Sequence, residues 1–215
     1  MKKILVVAAL FASMAAANAQ QFGVMGGLTL SRFGTTEESA TSDNITLYHA
    51  GVVYKADLGA GFALQPALAY SVKGANLERG DSITKTVKSK TGFVELSLGL
   101  QWGPDLLAFR PYLFVEPFVG YGVVPGGETF QSLDITSEKV NTALAEAKNK
   151  LEYGVGAGVG LEITRHLQIS CQLFQNLGKL YPEDKLDTGE LVTIKPSFVN
   201  IKNYQGVKVS LAILF

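Results

Sequence analysis

The sequence is poor in the residues that build catalytic and metal sites. It contains one cysteine, Cys171, and two histidines, His49 and His166, among 215 residues. A single thiol excludes a disulfide framework and a multi-cysteine metal site, and no second ligand stands near either histidine at the spacing of a zinc site. We therefore expect neither a metal centre nor a cofactor, and we interpret Cys171 as a small apolar side chain.

Charge and long apolar runs are also scarce. Charged residues make up 18% of the chain, and 19 basic residues balance 19 acidic ones. A nucleic-acid partner would require a basic excess, so we expect none. The hydrophobic fraction of 47% excludes a disordered chain. After residue 20 no apolar run approaches the roughly 20 residues of a transmembrane helix.

The N-terminus has the three parts of a secretory signal peptide. Lys2 and Lys3 precede the apolar run 4–12, and the small residues Ala17-Asn18-Ala19 form an A-x-A cleavage site. The run is too short to cross a bilayer as an anchor. We predict that residues 1–19 are cleaved and that residues 20–215 form one domain outside the cytoplasm.

The remaining chain alternates in polarity, as strands with two different faces do. In the last segment Val207, Val209, Leu211, Ile213 and Phe215 share one face. Eight such segments are predicted, at about 22–32, 45–58, 62–75, 89–102, 109–123, 151–163, 167–178 and 203–215. The connections after the second, fourth and sixth strands are short, and the other connections are long and polar. This is typical of an all-β, eight-stranded antiparallel up-and-down transmembrane barrel with short periplasmic turns and long external loops.

Alternation alone does not distinguish this barrel from a soluble, lipocalin-like one. The composition of the other, less apolar face of the strands distinguishes the two barrels. That face carries mainly Gly, Ala, Ser and Gln, whereas the outside of a soluble barrel would carry many charges. Small residues suit the crowded interior of an eight-stranded barrel. Aromatic residues on the apolar face form two predicted belts at the membrane interfaces. The short-turn belt contains Phe22, Phe62, Trp102, Phe109 and Phe215, and the long-loop belt contains Tyr48, Tyr70, Tyr121 and Tyr153.

Four stretches carry a resemblance to a known family. They are LQPALAYSVKGA at 64–75, FRPYLFVEPFVGYG at 109–122, YGVGAGVGLE at 153–162 and the last strand ending in Phe215. In order and spacing the chain resembles the PorT-like outer-membrane β-barrel domain of Bacteroidota. The resemblance implies a barrel in the outer membrane, inserted by the barrel assembly machinery that reads the C-terminal signal, but it implies no chemistry.

The parity of the strands places eight charged residues in the lumen. We predict that they form a compensated network, and they are Lys55, Asp57, Lys73, Glu95, Arg110, Glu116, Glu162 and Lys208. Glu95 and Glu116 are expected to lie opposite each other across the fourth-to-fifth-strand hairpin. Such a pair of carboxylates is also open to interpretation as a site for a cation or a proton.

One external loop is predicted to contain a helix. Residues 136–150 have helical periodicity, with Val140, Ala143, Leu144 and Ala147 on one face. This predicts either a lid over the barrel or a helix that contacts a partner.

Three prolines, at positions 66, 111 and 117, fall inside predicted strands. We expect β-bulges there because proline cannot donate to a ladder.

These observations favour a non-enzymatic outer-membrane barrel with a filled lumen and a structural or surface-interaction role. Its expected partners are outer-membrane lipid and a protein at the external loops, chiefly 124–150 and 179–202. The alternatives are a narrow porin-like channel, an accessory subunit of a secretion or envelope-assembly complex, and a soluble periplasmic binder.

Overall fold

The computed structural model describes residues 20–35, 40–43, 45–81, 83–106, 108–131, 150–177 and 201–215. These residues form nine strands. The strands are β1 (Gln20–Thr35), β2 (Ala40–Asp43), β3 (Ile45–Gly59), β4 (Phe62–Asp81), β5 (Ile83–Trp102), β6 (Phe109–Gln131), β7 (Leu151–Ile163), β8 (Leu167–Leu177) and β9 (Ile201–Leu214). Within these ranges no helix has the length and hydropathy of a transmembrane segment.

Eight of the strands close into a barrel. Going round the wall they follow the order β4, β3, β1, β9, β8, β7, β6 and β5, and β5 pairs with β4 to complete the circle. Every pairing is antiparallel. The short strand β2 pairs with the far end of β4, beyond the part of β4 that pairs with β3. The predicted eight-stranded antiparallel barrel is confirmed.

The alternation of residue types along each strand matches the alternation of burial. In β7 the glycines and glutamates face inward, while Tyr153, Val155, Val159 and Leu161 are exposed on the outside. Because side chains of a strand point alternately to its two faces, the outer wall becomes a continuous apolar band. The barrel therefore has its apolar face outside, as a lipid-facing barrel does.

The tight turns of one rim depend on left-handed backbone conformations. The β3–β4 turn runs through Gly59, Ala60 and Gly61, whose φ angles are 86°, 53° and 80°. Glycine adopts this region at little cost, whereas a residue with Cβ does so rarely. The β7–β8 turn places Thr164 and Arg165 at φ angles of 51° and 60°. These turns fix the short-turn rim.

At the long-loop end, strands continue into two connections that were predicted to be loops. The sequence predicted a polar loop over 76–88, but β4 and β5 continue as a paired ladder up to Asp81 and Ile83. Similarly, β6 continues to Gln131 into the predicted loop 124–150. Residues 136–149 of the expected helix 136–150, and residues 179–200 of the predicted loop 179–202, lie outside the described residues. The extensions of these strands lack the regular apolar alternation of the membrane part, so this alternation could not locate the strand ends.

The prolines do not produce the expected bulges. Two rungs of the β3–β4 ladder are missing at Pro66 and two rungs of the β5–β6 ladder at Pro117, but each ladder keeps the same register on both sides. Pro111 pairs with β7 at a height where β5 has already ended. The wall therefore accommodates the missing donors through local gaps in the ladder rather than through inserted residues.

Candidate functional site in the barrel lumen

The half of the lumen nearer the long-loop rim, the upper half, is organised around a buried lysine. Lys73 is fully buried, and its Nζ lies 2.5 Å from Glu95 Oε1 and 3.0 Å from Glu152 Oε1. The same ammonium donates to Asn176 Oδ1 at 3.2 Å, and Asn176 in turn donates to Glu152. A buried charge is tolerated only when it is paired and hydrogen-bonded, and the Lys73 ammonium meets both conditions.

A glycine explains why the two glutamates meet at Lys73. In the register of the wall Gly120 pairs with Glu95 on one side and with Glu152 on the other. A Cβ at Gly120 would lie 2.6 Å from Glu152 Oε1 and 3.1 Å from Glu95 Cγ. The missing side chain therefore makes the space that the two carboxylates occupy.

A second lysine and two aromatic rings complete the upper cluster. Lys208 donates to Glu95 Oε2 at 2.7 Å, so both oxygens of Glu95 are paired with ammonium groups. The Nζ of Lys73 lies 4.3 Å from the centroid of the Phe118 ring and 5.1 Å from that of Phe174. Cation–π contacts of this kind add to the attraction where water is excluded.

The lower half of the lumen holds a separate cluster beside the short turns. Glu162 accepts from Lys55 at 2.9 Å and from Gln168 at 2.9 Å. Lys55 also lies 3.0 Å from Asp57, whose side chain is 38% exposed at the rim. The carboxylate of Glu162 is thus held by a fully buried partner, whereas Asp57 is exposed at the rim.

Arg110 connects this lower cluster to the wall. Its guanidinium lies 3.7 Å from Glu162 Oε2, donates to Gln101 Oε1 at 3.0 Å and donates to the Gly61 carbonyl oxygen in the β3–β4 turn at 2.8 Å. Gln101 then donates to Gln65 at 2.8 Å. A planar donor group with several fixed N–H directions suits this role, since it ties three strands together at one point.

Glycines of β7 make room for the large side chains that fill the lumen. A Cβ at any of them would collide with a side chain from β6 or β8. The pairs are Gly154 with Phe118, Gly156 with Gln172, Gly158 with Phe114 and Gly160 with Tyr112. The glycine run that alternates with apolar residues therefore serves packing, as the volume of an eight-stranded barrel requires.

Between the two clusters a polar cavity of about 40 Å³ remains. Its wall includes Glu116, Lys208 and His49, and His49 contacts Thr29 Oγ1 at 3.0 Å and Ser210 Oγ at 2.9 Å. A water molecule needs about 10–15 Å³ of such space, so the cavity has room for about three water molecules.

The structure places the eight predicted lumen charges as follows. Six are buried in the lumen, namely Lys55, Lys73, Glu95, Arg110, Glu162 and Lys208. Glu116 is half-buried on the cavity wall, where Gln172 donates to it at 3.2 Å, and Asp57 is exposed at the rim.

The expected pairing of Glu95 with Glu116 is wrong. Glu95 lies opposite Gly120, because Gln101 pairs with Phe114 rather than with Arg110. The error is one of register: residues 109–112 continue beyond the end of β5 and pair with β7, and Phe109 also bridges to Leu106. The stagger of neighbouring strands in a tilted barrel moves Glu116 towards the short-turn rim.

Sequence reasoning missed three members of the network. Glu152, Asn176 and His49 are all buried in the lumen. Strand parity was sufficient to find them, since Glu152 shares its parity with Glu162, and Asn176 shares its parity with Gln168 and Gln172. With Glu152 included, the buried and half-buried lumen charges are four basic and four acidic side chains.

The aromatic residues predicted for the belts lie on the outer wall. Eight of the nine are exposed, and Tyr70 is half-buried. Neighbours pack within each rim, with ring centroids 6.5 Å apart for Phe62 and Trp102 and 6.4 Å apart for Tyr48 and Tyr70. The Phe–Trp rim and the tyrosine rim lie at opposite ends of the apolar band.

The family comparison agrees with this architecture. A family model described as the outer membrane protein beta-barrel domain matches residues 11–181. The chain belongs to this family. It is therefore an outer-membrane barrel protein with an apolar outer wall and a lumen filled by paired charges. Among the described residues, no group of three His, Cys, Asp or Glu side chains is placed to hold a metal ion.

Solved structures with a similar fold come from several bacteria. The attachment invasion locus protein Ail of Yersinia pestis is 12% identical, with coverage of 91% of this chain and 98% of that one and a TM-score of 0.44. Neisserial surface protein A is 12% identical over 90% and 97%, with a TM-score of 0.40. OprG of Pseudomonas aeruginosa is 10% identical over 92% and 96%, with a TM-score of 0.49. No curated protein matches the chain.

Proposed function

We propose that this protein is a non-enzymatic, PorT-like surface barrel of the outer membrane. In this proposal the lumen is a rigid filler, residues 1–19 are a cleaved signal peptide, and the interactions of the protein take place at its long-loop end. The buried network supports it, because a lumen closed by Lys73, Arg110 and their partners admits no substrate to a catalytic group.

The observation that carries the proposal is the protruding sheet. Beyond Ala75, which is still buried, β4 continues for six residues to Asp81, and β5 accompanies it along this length. At 3.3 Å per residue this is about 20 Å of strand. β6 adds a third strand up to Gln131. A membrane anchor requires none of this length, so the extension supports a role outside the membrane.

The orientation of the protein can be tested by labelling in intact cells. In a Cys171→Ser background, a cysteine is introduced either in the protruding sheet by Thr84→Cys or in the β7–β8 turn by Arg165→Cys. A membrane-impermeant maleimide should label the Thr84→Cys protein in intact cells and the Arg165→Cys protein only after lysis. The opposite pattern would reject the proposed surface role.

The location of the interaction is tested by replacing residues 132–149 with a short Gly-Ser linker. The barrel should still fold, which heat-modifiable gel mobility reports, because all eight strands of the wall lie outside residues 132–149. Crosslinking of the full chain on cells should give adducts that the replaced variant lacks. Identical adducts in both proteins would place the interaction elsewhere.

A further inference from the structure

A pocket of about 240 Å³ lies at the short-turn rim, between the β5–β6 connection and the β7–β8 turn. Its apolar lining consists of Leu106, Ala108 and Phe109. Its polar lining consists of Arg110 and Arg165 with Asp105 and Glu162. The pocket shares no lining residue with the small cavity inside the lumen, so it is a separate site that combines apolar side chains with two guanidinium groups.

Backbone hydrogen bonds hold this rim pocket in shape. Thr164 N donates to the carbonyl oxygen of Ala108 at 2.9 Å, which joins the two turns on either side of the pocket. Leu106 and Phe109 exchange two backbone hydrogen bonds of 3.0 Å. The carbonyl oxygen of Arg165 accepts from the side chain of Gln21 at 2.9 Å. The rim pocket is therefore formed before any ligand enters, as small-molecule sites usually are.

The guanidinium of Arg110 has N–H groups left for a ligand. Arg110 is only 5% exposed, and within the described residues its hydrogen bonds go to Gln101 Oε1 and to the carbonyl oxygen of Gly61. Its distances to Asp105 and Glu162 are both 3.7 Å, which is too long for a hydrogen bond. Because a guanidinium carries five N–H groups, Arg110 can donate further hydrogen bonds into the rim pocket.

The two carboxylates of the lining leave these donors accessible. Glu162 already accepts from Lys55 and from Gln168, each at 2.9 Å. Asp105 has a side chain that is 65% exposed, and its nearest contact to Arg110 is the 3.7 Å ion pair. Asp105 can therefore turn towards water when another acceptor reaches Arg110, and it serves as a displaceable counter-ion.

Arg165 occupies a backbone conformation that favours glycine. Its φ angle is 60° and that of Thr164 is 51°, and two-residue hairpin turns of this kind usually contain Asn-Gly. The β3–β4 turn uses glycine at two of its three left-handed positions. A strained residue of this type persists where its side chain has a role, and at this position the side chain of Arg165 lines the rim pocket.

We propose that the rim pocket binds the carboxylate of a small apolar acid. Arg110 and Arg165 bind the carboxylate, because a guanidinium matches its two oxygens with parallel N–H groups. Leu106 and Phe109 contact the apolar part, which favours such an acid over a fully hydrated inorganic anion. This chemistry is found in free N-acyl amino acids and at the C-terminus of a peptide that ends in an apolar residue. The inference goes beyond the proposed surface role and does not depend on it.

The test measures binding of a fluorinated N-acetylphenylalanine to the purified full chain in neutral detergent micelles, by fluorine NMR with protein-free micelles as the blank. The corresponding amide should bind about tenfold more weakly, because it lacks the charged acceptor. N-acetylglycine, which lacks the apolar group, should compete poorly. Competition by a pentapeptide that ends in phenylalanine would identify a peptide C-terminus as the ligand, and competition by N-acetylphenylalanine alone would identify a free acid.

Three substitutions test the residues of the rim pocket. Arg110→Gln and Arg165→Gly should each weaken binding about tenfold, whereas Asp105→Asn should strengthen it because a competing carboxylate is removed. Glycine also suits the φ angle at position 165, so Arg165→Gly should unfold at a denaturant concentration no lower than that of wild type. Lys90→Gln removes an exposed cation at the opposite end and should leave binding unchanged.

Heat-modifiable mobility verifies that each variant is folded. If Arg110→Gln does not fold, Arg165→Gly and Asp105→Asn still decide, since both change exposed side chains. Equal binding of the acid and the amide by wild-type protein, wild-type affinity in Arg165→Gly, or weaker binding in Asp105→Asn would each overturn the proposal.

Discussion

Removing the ammonium of Lys73 should destabilise the barrel more than any removal of an exposed charge. Lys73→Met keeps the length and the apolar stem but deletes the group that lies 3.0 Å from Glu152 and 2.5 Å from Glu95. Glu95 retains Lys208 at 2.7 Å, so the carboxylate left without a cation is that of Glu152. Removing one partner of a buried ion pair costs about 3–5 kcal/mol, and we expect the free energy of unfolding to fall by that amount.

The assay is equilibrium unfolding by guanidinium in detergent micelles, followed through the fluorescence of Trp102 and through gel mobility. Lys90→Met, at an exposed position, is the matched control and should stay within about 0.5 kcal/mol of wild type. Adding Glu152→Gln to Lys73→Met removes the orphaned charge and should recover part of the loss. The stabilising role of the buried ion pair is refuted if Lys73→Met unfolds at the same denaturant concentration as Lys90→Met, or if Glu152→Gln further destabilises the Lys73→Met protein.

Three further predictions concern the two faces of the wall, and denaturant unfolding measures each. Val209→Arg introduces a charge on the lipid-facing side and should cost about 2–4 kcal/mol in lipid vesicles, whereas Gln65→Arg beside the lumen cavity should cost less; equal losses would mean that the faces are misassigned. Gly156→Val should cost about 1–3 kcal/mol because its side chain collides with Gln172, while Ala157→Val on the outer face should be tolerated. Gln101→Met deletes the acceptor of the Arg110 guanidinium and should cost about 1–3 kcal/mol; wild-type stability would show that this bond is dispensable.

The membrane-spanning part of the fold was predictable from the sequence because its signal is local. Alternation of large apolar residues with small ones, as in β7, located each strand to within a few residues of its observed ends in this region. The closed antiparallel order followed from the short turns at one rim. The strand extensions past Ala75 and Val123 were not predictable in this way, since outside the bilayer neither face has to be apolar.

The lumen was predictable in composition but not in pairing. Parity assigned Lys73, Glu95 and Lys208 to the interior, yet which carboxylate meets which ammonium depends on the stagger between strands. One register error of four residues in the β5–β6 hairpin was enough to pair Glu95 with the wrong glutamate. The stagger is a property of the whole closed wall, so it could not be inferred from any single hairpin.

Paired charges that fill the lumen leave no path for ions through it. Conductance of the purified protein in planar lipid bilayers measures this property. We expect no stable, reproducible conductance steps, because Lys73 with Glu95 and Glu152, and Arg110 with Glu162, close the lumen at two heights. Large, stable steps from the wild-type protein, of uniform size from one preparation to the next, would contradict the claim and identify the barrel as a channel.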